Sequence, residues 1–250
     1  MRAYWTLTRR EVATYFLSMT GYVILAGAMF LLGFSFVVLL VKLQNEPTSM
    51  PVTELFYITP FFWLILLLAT PVITMRLFAL EKFSGTFETL MTAPVSDLQV
   101  VLAKFTAGLV FYAVMWLPLL GCLLVVQHFT NAQTGLDASV VASTYLGILL
   151  LGGLFVSLGC CASALTRSQV TAVMISLGFG ASLFLLGVLS SQFPAQAEWQ
   201  AQVFAALSFF EQMHDFARGV VDTRPVVLYL SLTLFFLFLN LRILESRRWK

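Results

Sequence analysis

The side chains able to act as ligands, bases or nucleophiles are few and scattered in this 250-residue chain. His128 and His214 stand alone, and Cys122, Cys160 and Cys161 fall inside apolar runs without the paired spacing of a zinc site. The cysteines therefore read as small buried hydrophobes. Ser157, Ser163, Ser176 and Ser182 have no histidine or lysine at a matching depth to activate a hydroxyl, and they read as small residues for helix packing. There is no HExxH and no GxxxxGK[ST]. The chain is expected to carry no catalytic, metal or cofactor site of its own, so any nucleotide it depends on must be hydrolysed by another protein.

What remains is one polar island, "MRLFALEKFSGTFETLMTAPVSD", Met75 to Asp97, where acids, bases, a Gly-Thr pair and a proline crowd between long apolar runs. Its chemistry is that of contact. Composition says what surrounds it: 60% of residues are hydrophobic, 10% are charged and the mean hydropathy is +0.92. A soluble domain is about a quarter charged, so the fold expected is an all-α integral membrane protein. The net charge of +2 is too small and its bases too spread to suggest nucleic acid as a partner.

A length of about twenty apolar residues per crossing gives six spans, near Gly21–Leu43, Leu55–Leu77, Leu98–Gln127, Ser139–Leu165, Gln169–Ser190 and Pro225–Leu244. Each must be helical, because hydrocarbon offers an unpaired amide no partner. The runs do not alternate as barrel strands would. Arg2, Arg9, Arg10, Arg76, Lys82, Lys104, Arg167, Arg242, Arg247, Arg248 and Lys250 fall on one side, whereas only Lys42, Arg218 and Arg224 fall on the other. Positively charged loops stay inside, which places both termini and the island in the cytoplasm. No ionisable group lies deep in a span; Lys42, Arg76 and Lys104 are near span ends, within reach of the interface by snorkelling. Proton relays and ion-coupled transport are disfavoured.

Before the first span, Trp5, Val12, Tyr15, Phe16 and Met19 share one helical face, opposite Arg10, Glu11, Thr14 and Ser18. This predicts an amphipathic elbow helix over residues 1–20, and its charges stand where a signal peptide would need an apolar stretch. "QNEPTSMPVTE" and "HFTNAQTGLDA" read as plain connectors. The longer segment 191–224 carries Trp199, Val203, Ala206, Phe210, Met213 and Ala217 at helical spacing, and "SFFE" at Ser208–Glu211 predicts a capping box. Two short helices in the outer leaflet are expected there, the second ended by Gly219. Gly153, Ser157 and Cys161, four apart, predict a close helix contact, and Pro60, Pro71 and Pro118 predict kinks.

Within the island, the second helix is expected to run on past Arg76 through "RLFALEKF" until Ser84 and Gly85 interrupt it. "TFETLMTA" then forms a short helix with Glu88 near its positive end; Pro94 stops it, and "SDLQ", Ser96 to Gln99, is a capping box for the third span. Such a unit presents Glu81, Lys82, Thr86, Glu88 and Thr89 to the cytosol. A mere connector would need two to eight residues.

The pattern "ALEKFSGTFETLMTAPVSDLQVVLAKF" resembles the first cytoplasmic loop of type-2 ATP-binding cassette transporter permeases, with an acid, Gly-Thr, then Leu and Pro at similar spacing. It is similar in particular to the bacterial permease branch associated with gliding motility, and "FFEQMHDFARGVVDTRPVVLYLSLTLFFLFLNLRILESRRW" resembles the C-terminal part of that branch. The resemblance implies a single permease domain over residues 1–250, with an elbow at 1–20, a coupling loop at 78–97 and external helices at 191–224. It implies an export permease of the bacterial inner membrane, paired with an identical or related permease, each seated on a cytosolic ATPase that binds the ATP and Mg. An additional envelope subunit is a further possible partner. It implies a coupling helix around Gly85–Leu90, so that Glu81, Gly85, Thr86, Glu88, Thr89 and Leu90 form the ATPase-coupling interface. A non-transporting scaffold or assembly factor that recruits an ATPase or envelope partner is the alternative.

Overall fold

The computed structural model describes residues 2–45, 52–86, 95–129, 137–192 and 208–248. Eleven helices and no strands are found among the described residues: α1 (Arg2–Leu17), α2 (Met19–Asn45), α3 (Val52–Ile58), α4 (Pro60–Thr74), α5 (Ala79–Ser84), α6 (Asp97–Met115), α7 (Leu117–Phe129), α8 (Ala138–Leu165), α9 (Gln169–Gln192), α10 (Phe209–Ala217) and α11 (Thr223–Arg248). Among the described residues, six segments are long and apolar enough to cross a membrane: Met19–Lys42, Pro60–Ser84, Asp97–Val126, Ala138–Leu165, Gln169–Leu189 and Thr223–Ser246. All six lie where the apolar runs place them.

The bundle is organised around α8. Its crossing window is 83% buried, against 22% for the windows in α2, α9 and α11, which identifies it as the central post. Helices α4, α6, α9, α10 and α11 all pack on it. Small residues make this possible, because helices in lipid gain mainly from close van der Waals contact. A Cβ at Gly152 would overlap the Tyr112 ring of α6, and one at Gly159 would overlap the Thr74 side chain of α4. The stripe expected from Gly153 and Cys161 lies toward α11, where the Cys161 thiol donates to the Phe236 carbonyl at 2.9 Å. Asn240 of α11, its amide oriented to suit its neighbours, bonds the Cys160 carbonyl and the Cys161 amide at 3.2 Å each.

Two spans expected to be continuous are broken. The second is interrupted at Thr59–Pro60: proline lacks an N–H and forces its predecessor into the extended region, and Thr59 sits at ψ 140°. Pro71, by contrast, stays inside α4, which ends three residues later at Thr74. The third span breaks at Trp116, two residues before Pro118, and the Tyr145 hydroxyl donates to the Trp116 carbonyl at 2.7 Å. Helix α4 also does not run on past Arg76. Residues Met75–Phe78 form a tight turn, and α5 then resumes the path.

At the end of the bundle that holds α3 and α10, "QNEPTSMPVTE" is more than a connector, since its last residues open α3. Glu54 is only 1% exposed, and its Oε1 lies 2.8 Å from His214 Nε2 and accepts from the Arg218 guanidinium at 2.9 Å. His214 is therefore not isolated. The last carbonyls of α10 are taken by other helices: Thr53 donates to Ala217 O at 2.8 Å and Ser143 to Phe216 O at 2.6 Å. Gly219, at φ +89°, ends the segment as expected, but Ser208 makes no side-chain cap bond, so the "SFFE" box does not form. Trp199, Val203 and Ala206, and with them the first of the two outer helices, lie outside the described residues.

The Arg218 hydrogen bond holds the Glu54 carboxyl below its ordinary value of 4.5, outweighing the opposing cost of burial; His214 acts in the same direction. A carboxyl lowered in this way contributes stability above its unfolded value, which is lost as pH falls through the folded one. The melting temperature of the purified protein should thus drop as the pH is lowered below 4.5, and less steeply in Glu54→Gln. Equal acid sensitivity in the two proteins would show that the carboxylate does not hold α10 in place.

Candidate functional site at the elbow end

The island's described half is positioned by three helices. Helix α1 packs along α6, with the Tyr15 hydroxyl donating to the Ile73 carbonyl at 2.7 Å and Tyr4 sharing a hydrogen bond with Thr106 at 2.8 Å. Its apolar face is divided: Tyr15 is buried and stacks on Phe111, whereas Trp5 remains exposed at 68%. The helix ends at Leu17, and Met19 already belongs to α2.

The turn between α4 and α5 is built on one buried hydroxyl. Ser163 of α8 accepts from the Phe78 and Ala79 amides at 3.1 and 3.0 Å and donates to the Met75 carbonyl at 3.1 Å. Three backbone groups freed by the end of α4 are thereby satisfied. Ser163 is thus an anchor for the island, not only a small packing residue. The Lys82 ammonium donates to the Ala164 carbonyl, tying α5 to the end of the same central helix.

The strongest electrostatic feature lies beside this turn. Lys104 of α6 is 2% exposed, and its ammonium reaches Glu81 of α5 at 2.8 Å and Glu11 of α1 at 3.3 Å. Phe78 lies beneath it, with the ring centroid 5.4 Å away. Arg10 adds weaker contacts to both carboxylates at 3.6 Å each. A buried ammonium between two carboxylates fixes the relative positions of α1, α5 and α6, since separating any one strands a charge away from water.

Sequence-based expectations for the island divide here. Glu81 and Lys82 do not face the cytosol freely, because Glu81 is only 14% exposed and engaged with Lys104, and Lys82 is turned to α8. Lys104 does not snorkel outward; it is buried between its partners. Gly85 adopts φ +74° and closes α5 in the left-handed region that favours glycine, as the interruption requires. Thr86 is exposed, with its hydroxyl 2.8 Å from that of Ser84. Glu88, Thr89 and Leu90 lie outside the described residues. After them, Ser96 and Gln99 form the expected capping box at the start of α6. Sequence reasoning passed over Phe83, whose ring is 78% exposed next to Ser84, Gly85 and Thr86. Its apolar side chain within "EKFSG" was the available signal.

Taken together, a rigid three-helix corner presents an exposed tip at one end of an α-helical membrane bundle. A family model for the ABC-2 family transporter protein matches residues 40–246. The chain belongs to that family, a class of multi-pass membrane permeases of ATP-binding cassette transporters. Membership implies partnership with an ATP-binding cassette ATPase. A comparison with curated proteins finds no match.

Proposed function

We propose that the chain is an ATP-driven export permease that works side by side with a second copy or a related permease, each seated on a cytosolic ATPase that carries the ATP and Mg. The α1 end faces the cytoplasm, both termini with it, in the inner membrane. The segment 78–97 is the coupling element. Glu81, Gly85, Thr86, Glu88, Thr89 and Leu90 serve it: Glu81 from within, by holding α5 to α6, and Gly85 and Thr86 at the surface with Phe83 beside them, while Glu88, Thr89 and Leu90 belong to the same interface by the sequence resemblance. The similarity of the loop at residues 79–105 and of the C-terminal segment to the gliding-motility branch supports assignment to that branch.

The observation that carries this reading is the Lys104 cluster. A push on the tip after Gly85 is transmitted to α1 and α6 together, because the three helices share one buried charge. Nucleotide-driven closure of the ATPases would then shift the path between permeases from inward- to outward-facing. The helices at the α10 end would cap that path.

Glu88→Arg tests the interface. It is expected to weaken co-purification with the ATPase subunit while membrane insertion stays normal. Undiminished recovery of the ATPase, with undiminished ATP hydrolysis, would remove the coupling role from this segment.

A further inference from the structure

A cleft of about 710 Å³ opens between α1 and the island. Its wall carries Arg10, Glu11, Arg76, Glu81 and Lys104, so that three cations face two carboxylates and one positive charge is left over. Two atoms account for the remaining binding capacity. Arg76, at the turn after α4, donates only to the Thr20 hydroxyl and has no carboxylate partner among the described residues. Glu81 Oε2 is buried and accepts no hydrogen bond from the described residues. The cleft thus offers a guanidinium that takes an anionic oxygen and a carboxylate oxygen that takes a donor.

We propose that this cleft binds the headgroup of an anionic glycerophospholipid, with its phosphate on Arg76 and its glycerol hydroxyls donating to Glu81 Oε2. The surplus charge of one matches a singly anionic headgroup better than a zwitterionic one, and basic pockets among helices on the cytoplasmic side are suited to anionic lipid. The rim argues for a lipid over a soluble phosphate. Ser18 lines the cleft between Leu17 and Met19, which are 83% and 84% exposed and provide an apolar track for acyl chains at the elbow. A lipid held there would occupy the space between α1 and α5, filling the corner that the Lys104 cluster braces. The inference rests on the reading of the α1 end as the cytoplasmic membrane surface.

The test uses the delipidated full-length protein in mild detergent without the ATPase, so that lipid binding is separated from coupling. Native mass spectrometry is run with phosphatidylglycerol, phosphatidylethanolamine, phosphatidylcholine and glycerol phosphate. Phosphatidylglycerol should be retained over the other three. Its affinity should fall about tenfold in Arg76→Gln and remain unchanged in Arg242→Gln, whose charge sits on α11 paired with Glu245. Thr14→Trp, which fills the cleft without altering a charge, should also displace the lipid and keeps the test intact if Arg76→Gln fails to fold. Equal retention by the wild type and Thr14→Trp would overturn the site. Equal binding of phosphatidylcholine would overturn the headgroup assignment, and glycerol phosphate binding as tightly as the lipid would overturn the lipid source. Undiminished recovery of the ATPase by Glu88→Arg, with lipid binding as expected, would sink only the coupling reading.

Discussion

Lys104→Met is expected to destabilise the protein by on the order of 3–5 kcal/mol, because it leaves the largely buried Glu11 and Glu81 facing each other with only the exposed Arg10, 3.6 Å from each, to compensate. The methionine fills much of the same space, so the loss is electrostatic. The triple substitution Lys104→Met, Glu11→Gln, Glu81→Gln should recover most of the melting temperature, since a neutral cluster of similar volume carries no stranded charge. Its ATP hydrolysis with the partner should nonetheless respond less to a transported substrate, because the corner is no longer braced by charge. A single Lys104→Met protein that melts at the wild-type temperature would show that α1, α5 and α6 are held by packing alone.

Ser163→Ala should be nearly as damaging, at roughly 2–4 kcal/mol, since buried backbone groups left without a partner cost about 1–3 kcal/mol each. The Phe78 and Ala79 amides and the Met75 carbonyl all depend on this hydroxyl. Ser157→Ala is the matched comparison. Both serines are fully buried on α8, but the Ser157 hydroxyl donates only to Leu154 in its own helix, at 2.7 Å. Ser157→Ala should therefore melt close to the wild type. Thermal melts in detergent separate the two; equal melting temperatures for the two variants would mean that the α4–α5 turn does not hang on Ser163.

The six crossings were legible because the length of an apolar run is set by the bilayer and needs no knowledge of neighbours. The same holds for local devices. The Ser96–Gln99 capping box and the glycines at positions 85 and 219 are written in a few consecutive residues, and all three form. Ser208 shows where local signals fail. It has the capping sequence but sits at φ −76° and ψ 66°, outside the extended conformation that a capping side chain needs. The α10 segment is positioned instead by Glu54, Thr53 and Ser143, which come from two other helices.

Proline gave a mixed signal for a related reason. Pro60 breaks its span and Pro71 does not, and nothing in the two flanking sequences separates them without the tertiary setting. At the island, the pairing of Lys104 with Glu11 and Glu81 joins residues 93 and 23 positions apart, so no motif contains it. The hydroxyl of Ser163 is similarly remote from the turn it holds. What the sequence conveyed was that polar residues gather between the second and third crossings. Which of them face inward to brace the corner and which face outward depends on how α1 folds back on α6.

The most direct measurement is affinity purification of the chain from its native membrane in mild detergent, followed by mass spectrometry and an ATP-hydrolysis assay. Coupling through the island predicts a stoichiometric ATP-binding cassette subunit, recovered in reduced amount with Glu88→Arg, and ATP hydrolysis in the recovered complex. Recovery of the chain with no nucleotide-hydrolysing partner, even after cross-linking through residues 75–97, would contradict it and favour a scaffold.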